Sequence, residues 1–476
     1  MSKFNFIRCF FASSLLMTAV AFQIKAEVKL PSVFSDNMVL QQQSQIAVWG
    51  WAKAGASVKV TGSWNNKSYT AKSDSKGFWK VKIATPVAGF TPYTLTVSDG
   101  KAVTLKNVLI GEVWICSGQS NMEMPMKGFS GQPIEGGPDD IIRSTNVGIR
   151  CFTVQKVSTV TPKDDCTGSW EIAGPNTVPN FTATGYYFGR LLYEVLHVPV
   201  GLIHTSWGGS RIEAWMTPAS IKNVPEKAIP ASDADIKIRN GDPTVLYNGM
   251  LHPLVGYGIR GAIWYQGESN KGEPDLYVKM FDLMVREWRN IWGVGEFPFY
   301  YCQIAPYNYG GGHPNSGYIR EAQAKGMLTP NTGMAVLMDA NSPACIHPPK
   351  KRDAGERMAL WALAKTYGYE KIHYRSPEVE SFQKEGRVAI LTFNMFGSGN
   401  GLTSYGKEIN RFIIAGKDKR FHAAKAVLAG NKIYLFSPAV AEPEAVRYCW
   451  DDTSDTEIFA VDGNLPVSSF RTDDWQ

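Results

Sequence analysis

The sequence predicts an α/β protein: a parallel sheet covered on both faces by helices, with a β domain before it and another after it. Three observations carry that expectation. Between about residues 107 and 375, apolar runs recur without alternation, as strands buried on both faces require. Between those runs lie longer segments with apolar residues at three- and four-residue spacing, the pattern of helices that cover such a sheet. Outside those limits, short segments rich in Val, Trp, Thr and Tyr are divided by Gly, Asn, Ser and Pro turns, which reads as β structure alone.

In chain order, residues 1–26 read as an export signal. Lys3 and Arg8 form a basic start, residues 10–22 form an apolar run too short to span a bilayer, and Ile24-Lys25-Ala26 suits cleavage before Glu27. No later stretch is apolar enough to span a membrane, so a soluble, periplasmic or secreted protein is expected. Residues 27–106 predict a β-sandwich-like domain with strands at 45–51, 57–62, 77–83 and 93–97. Residues 107–375 predict the α/β domain, with strands at 108–116, 198–203, 259–265, 297–304 and 333–338. Its helices are expected at 182–196, 275–292, 318–327 and 351–367, the last ended by Gly368. Residues 376–476 predict a C-terminal β domain with strands at 388–393, 412–415, 432–436 and 445–450.

Composition narrows the function. At 476 residues, 44% hydrophobic and 19% charged, this is a folded chain too long for one core. Without residues 1–26 its formal charge falls from +6 to +3, which gives no reason to expect a nucleic-acid partner. The six cysteines beyond the signal (116, 151, 166, 302, 345 and 449) lack CxxC spacing and read as free, partly buried thiols, with Cys151 and Cys166 the one pair able to bridge a short loop. No phosphate loop and no HExxH occurs, so no metal or cofactor is expected, and no protein partner is evident.

In an open parallel sheet the site lies beyond the carboxyl ends of the strands. The residues that follow the five expected strands include Ser117-Gly118-Gln119-Ser120-Asn121, Trp207-Gly208-Gly209-Ser210-Arg211, Gln266-Gly267-Glu268-Ser269-Asn270 and Asp339 followed by Ile346-His347-Pro348. Small polar residues and glycines at one edge after another suit acyl transfer. A serine hydroxyl needs an imidazole as base, and the tetrahedral oxyanion needs preorganised N–H donors. Ser120 is the candidate nucleophile and His347 the candidate base. Gly208 or Gly209 by backbone, Gln266 by side-chain amide and the N–H of Ser120 are the candidate oxyanion donors. Arg211 could take a sugar carboxylate at the rim, or form an ion pair with Glu213. His252 reads as a satisfied core histidine, and His204 and His313 have no supporting neighbours.

These blocks resemble the SGNH hydrolases, and more closely the sialate O-acetylesterase family of carbohydrate acetylesterases. The resemblance rests on "GEVWICSGQSNMEMPM", "GLIHTSWGGSRIEAW", "LYNGMLHPL", "GAIWYQGESN", "IHPPKK" with "GERMALWALAKTYG", and the terminal "AVRYCW" and "FRTDDW", in fixed order over nearly the whole chain after residue 26. It implies an SGNH-like three-layer α/β/α domain and removal of acetyl groups from the hydroxyls of sialic acids or related glycans, without a metal. Enzymes of the SGNH type place an acid two or three residues before the histidine, where this chain has Cys345 and Ala344. Asp339 is therefore the candidate to orient His347, with Glu268 or a backbone carbonyl as alternatives. Acetylated plant polysaccharides such as xylan are the alternative substrate. A carbohydrate-binding protein on a degenerate hydrolase is the alternative class.

Overall fold

The computed structural model describes residues 28–311, 314–340 and 342–475. The expected export signal lies outside them. Seven strands build the sheet that positions the site: β1 (Ala102–Gly118), β2 (Asn146–Thr153), β3 (Trp170–Ala173), β4 (Val200–Ser206), β5 (Gly261–Tyr265), β6 (Phe299–Cys302) and β7 (Thr332–Ala335). Their order is β7-β6-β5-β1-β4-β2-β3, with every pairing parallel except β2 with β3. Five helices matter below: α1 (Ser120–Glu123), α2 (Ala183–Leu196), α3 (Pro274–Trp292), α4 (Ser316–Lys325) and α5 (Lys351–Lys365).

The absence of alternation in the strand sequences has the cause expected of it. Successive side chains point to opposite faces, and here both faces are buried. Ala262 and Trp264 of β5 join Phe299 and Tyr301 of β6 in one apolar cluster with Met280, Met284 and Trp288 of α3. Ile263, Tyr265, Tyr300 and Cys302 join a second cluster with Tyr187 and Phe188 of α2 and Met358 and Trp361 of α5. Each such large side chain, taken from water, contributes about 1.5–3 kcal/mol.

β1 spans 17 residues and serves two regions. Its first part pairs antiparallel with Gly89–Ser98, and its last part pairs in parallel with β4 and β5. The N-terminal β region and the α/β region thus share one mixed sheet, and the expected limit at residues 106/107 falls inside a strand. Two of these seven strands were not expected. β2 carries Gly148 and Arg150 in its middle, which breaks the apolar run; Arg150 is nevertheless buried, its Nε donating to Val147 O. β3 has only four residues, and only its two ends are buried.

After α5 the chain forms antiparallel sheets. One has the order Glu378–Glu385, Val388–Asn394, Lys432–Phe436, Lys425–Ala429; another has Phe421–Ala423, Phe412–Ala415, Ala445–Tyr448, Phe470–Arg471. Arg320 of α4 ties this region down: fully buried, it donates to Ser469 Oγ and to the carbonyls of Cys449 and Asp451. The six cysteines are free thiols, Cys151 and Cys166 included. Among the described residues, no helix is long and apolar enough to cross a membrane.

Candidate active site

Ser120 is delivered by the turn that ends β1. Gly118 has φ +138°, and a Cβ there would lie 2.2 Å from the Tyr265 carbonyl oxygen, so only glycine lets β1 end against β5. The next N–H, of Gln119, donates to that carbonyl at 2.9 Å, and Gln119 Oε1 accepts from the N–H groups of Gly267 and Ser269. The turn is thereby pinned to the loop after β5. α1 starts at Ser120, whose side chain is half-buried and makes no hydrogen bond among the described residues. α1 rests on the start of α2: Thr184 Oγ1 donates to Asn121 O, and Thr182 caps α2 by accepting from Gly185 N–H.

His347 arrives on the loop that opens α5. Gly355 allows that helix close to α2, since a Cβ there would lie 2.5 Å from Thr184 O. The loop is then tied to the serine turn by buried side chains. Asn121 Nδ2 donates to Ile346 O at 3.0 Å and to Glu268 Oε1 at 2.6 Å. Lys351 Nζ donates to Asn121 Oδ1 and to Pro348 O, each at 2.7 Å. The carbonyls on both sides of His347 are therefore held by Asn121 and Lys351, and Asn121 is the residue next to Ser120.

The imidazole is oriented by a group no motif announces. His347 Nδ1 lies 2.6 Å from Gln132 Oε1, and Phe129 packs edge-on to the ring at 5.2 Å between centroids. A carboxamide oxygen can only accept, so Nδ1 carries the proton and Nε2 presents its lone pair. Burial, with the Lys351 ammonium nearby, lowers the His347 pKa to about 4, and Glu123 opposes the shift. Among the described residues no hydrogen bond joins Ser120 to His347. Such bonds are often long without substrate and tighten in its presence.

Several expected roles are corrected. Asp339 does not reach the imidazole: its carboxylate forms a bidentate pair with Arg357 of α5 at 2.7 and 2.6 Å. Glu268 is turned to Asn121, and its Oε2 is buried without a partner; burial raises its pKa. Gln266 is no oxyanion donor, because Nε2 already donates to Ser210 O and Asn270 Oδ1 and the residue is fully buried. Gly208 packs on Ser120, where an added Cβ would lie 3.3 Å from Ser120 Cβ, but its N–H donates to Glu123 Oε2. The N–H groups of Ser120 and Gly209 have no acceptor among the described residues. The Arg211 side chain is 41% exposed and lies 3.9 Å from a Glu213 carboxylate that Lys227 holds at 2.8 Å. His204 is buried, bonded through Nε2 to Ser206 Oγ, and held neutral by burial with its pKa lowered to about 3. His252 bonds Lys163 O through Nδ1.

Residues 110–359 match a family model described as carbohydrate esterase, sialic acid-specific acetylesterase. The sialate O-acetylesterase of Mus musculus is 30% identical over 422 residues, covering 73% of this chain and 75% of its own. That of Homo sapiens is 29% identical over 408 residues, covering 77% of this chain and 76% of its own. The crystal structure of a carbohydrate acetylesterase from Xanthomonas citri superposes with a TM-score of 0.86 at 37% identity, covering 94% of this chain and 100% of that one.

Proposed function

Since this chain belongs to the carbohydrate esterase family of sialic acid-specific acetylesterases, we propose that it is a carboxylic ester hydrolase that removes acetyl groups from the hydroxyls of O-acetylated sugars, sialic acids foremost. The reading extends to an SGNH-like arrangement of the parallel sheet and to an exported enzyme. The observation that carries the mechanism is the contact of His347 Nδ1 with Gln132 Oε1, which leaves Nε2 as the basic nitrogen, on a loop that Asn121 ties to the serine turn.

Ser120 Oγ attacks the acetyl carbonyl carbon as His347 Nε2 takes its proton. The oxyanion is met by the uncommitted N–H groups of Ser120 and Gly209. The imidazolium then gives its proton to the sugar oxygen as the ester bond breaks, leaving acetyl-Ser120. Water attacks that ester with the same imidazole as base, and acetate leaves with Ser120 restored. The half-exposed Arg211 suits a sugar carboxylate, the feature that favours sialic acids over neutral xylan.

The test is acetate release from O-acetylated sialic acid and from acetylated xylan, measured side by side. Faster release from the sialic acid is expected. Preference for xylan acetate would move the substrate to plant polysaccharides, and inertness on both with retained sugar binding would overturn the esterase reading.

A further inference from the structure

The buried pair Asn121 and Lys351 stands apart from the groups that touch an ester, yet it holds the backbone of the base. Lys351 is 1% exposed at the first position of α5. Its Nζ bonds Asn121 Oδ1 and Pro348 O, while Asn121 Nδ2 bonds Ile346 O and Glu268 Oε1. One carboxamide thus sits between a buried carboxylate and a buried ammonium. Its donor side takes the carbonyl before His347, and the ammonium takes the carbonyl after it. A lysine is seldom buried unless paired, and here the bridge through Asn121 supplies the pairing.

We propose that Lys351 is a positioning residue: acting through Asn121, it sets the register between the Ser120 turn and the His347 loop. The inference rests on the reading of Ser120 as nucleophile and His347 as base. Asn121 is covalently next to Ser120 and its carboxamide holds the carbonyl before His347, so it links the two partners of the proposed proton transfer. Misplacement by about 1 Å costs such a step on the order of 10²-fold. The arrangement also has an electrostatic signature. The titratable groups facing Lys351 are Tyr265 of β5, whose ring centroid lies 5.9 Å from Nζ, Glu268 from the loop after β5, Cys302 from β6, and Cys345 and His347 from its own approach loop. Burial lowers the Lys351 pKa to about 7, against the pull of Glu268. While charged, the ammonium disfavours a second positive charge on His347.

The test compares Lys351→Met, Lys351→Arg and the doubly neutral Lys351→Met with Glu268→Gln on 4-nitrophenyl acetate, with thermal unfolding as the check on folding. For Lys351→Met we expect kcat down by roughly 10²-fold with KM within about twofold, since the ester is not touched. The acid limb of its pH profile should move to higher pH, a change that lost packing would not produce, and Lys351→Arg should recover part of kcat. Unchanged kcat and an unmoved acid limb in a folded Lys351→Met overturn the inference. If that variant does not fold because Glu268 is left unpaired, the doubly neutral variant decides by the same kcat criterion. Ser120→Ala and His347→Ala measured alongside keep the readings apart. If both are inactive while Lys351→Met is normal, only the positioning role fails; if either is active, the reading beneath it fails.

Discussion

Gln132 Oε1 meets His347 Nδ1 at 2.6 Å across 215 positions of sequence, where a serine hydrolase ordinarily offers the imidazole a carboxylate. A carboxamide fixes the tautomer as a carboxylate does. It lends no charge of its own to the imidazolium of the proposed proton transfer; the carboxylate that favours that charge is Glu123, whose pull does not offset burial and the Lys351 ammonium.

The pH dependence follows from that contact. In the proposed mechanism the base works as neutral imidazole, and the His347 pKa is lowered to about 4. The value of kcat/KM should therefore hold as pH falls through 6 and 5, and drop as it falls through about 4. Gln132→Glu places a negative charge on Nδ1–H, which raises the pKa and moves the acid limb upward, towards the ordinary 6.5. A profile of kcat/KM against pH for the two proteins checks this.

Asp339 should behave as a structural residue. Its pair with Arg357 is mostly buried, with side chains 13% and 10% exposed, and Asp339→Ala leaves the guanidinium only Val336 O and the more distant Asp353 carboxylate at 3.8 Å. Loss of one partner of such a pair costs about 3–5 kcal/mol of stability. The expected outcome is a markedly lower unfolding temperature, with kcat of the folded fraction within a few-fold of the parent. A loss of kcat without a loss of stability would return Asp339 to the imidazole.

Gln266 separates two roles cleanly. Removal of an oxyanion donor lowers kcat by about 10²–10³-fold at little cost to folding. Removal of the buried amide leaves Ser210 O without that donor, at about 1–3 kcal/mol of stability, while Asn270 Oδ1 keeps the N–H of Ile212. Gln266→Leu should show the second pattern, read by denaturant unfolding beside steady-state kinetics.

Much of this was legible in the sequence. The parallel strands could be read because burial on both faces removes alternation, and the turn at Ser117-Gly118-Gln119-Ser120 because glycine and small polar residues follow an apolar run. β2 was missed because a buried arginine finds its acceptor in its own strand, which composition does not reveal. Asp339 was misplaced because a carboxylate near a histidine in sequence takes whichever cation the fold brings closer, and α5 brings Arg357. Gln266 misled because a glutamine beside a strand end shows its donors, whereas one of the two acceptors that take them, the Ser210 carbonyl, lies 56 residues away. Gln132 gave no signal at all: it sits in an irregular stretch between α1 and Gly137–Ile142, and only the folded chain carries it to the ring.

The proposed mechanism depends most on Ser120, and one measurement tests that residue directly: acetate released from O-acetylated sialic acid by Ser120→Ala against the unmodified protein, at equal concentrations of folded enzyme. A loss of at least about 10³-fold is expected, with the remainder due to binding and the oxyanion donors. Release within tenfold of the parent would contradict it and place the nucleophile elsewhere.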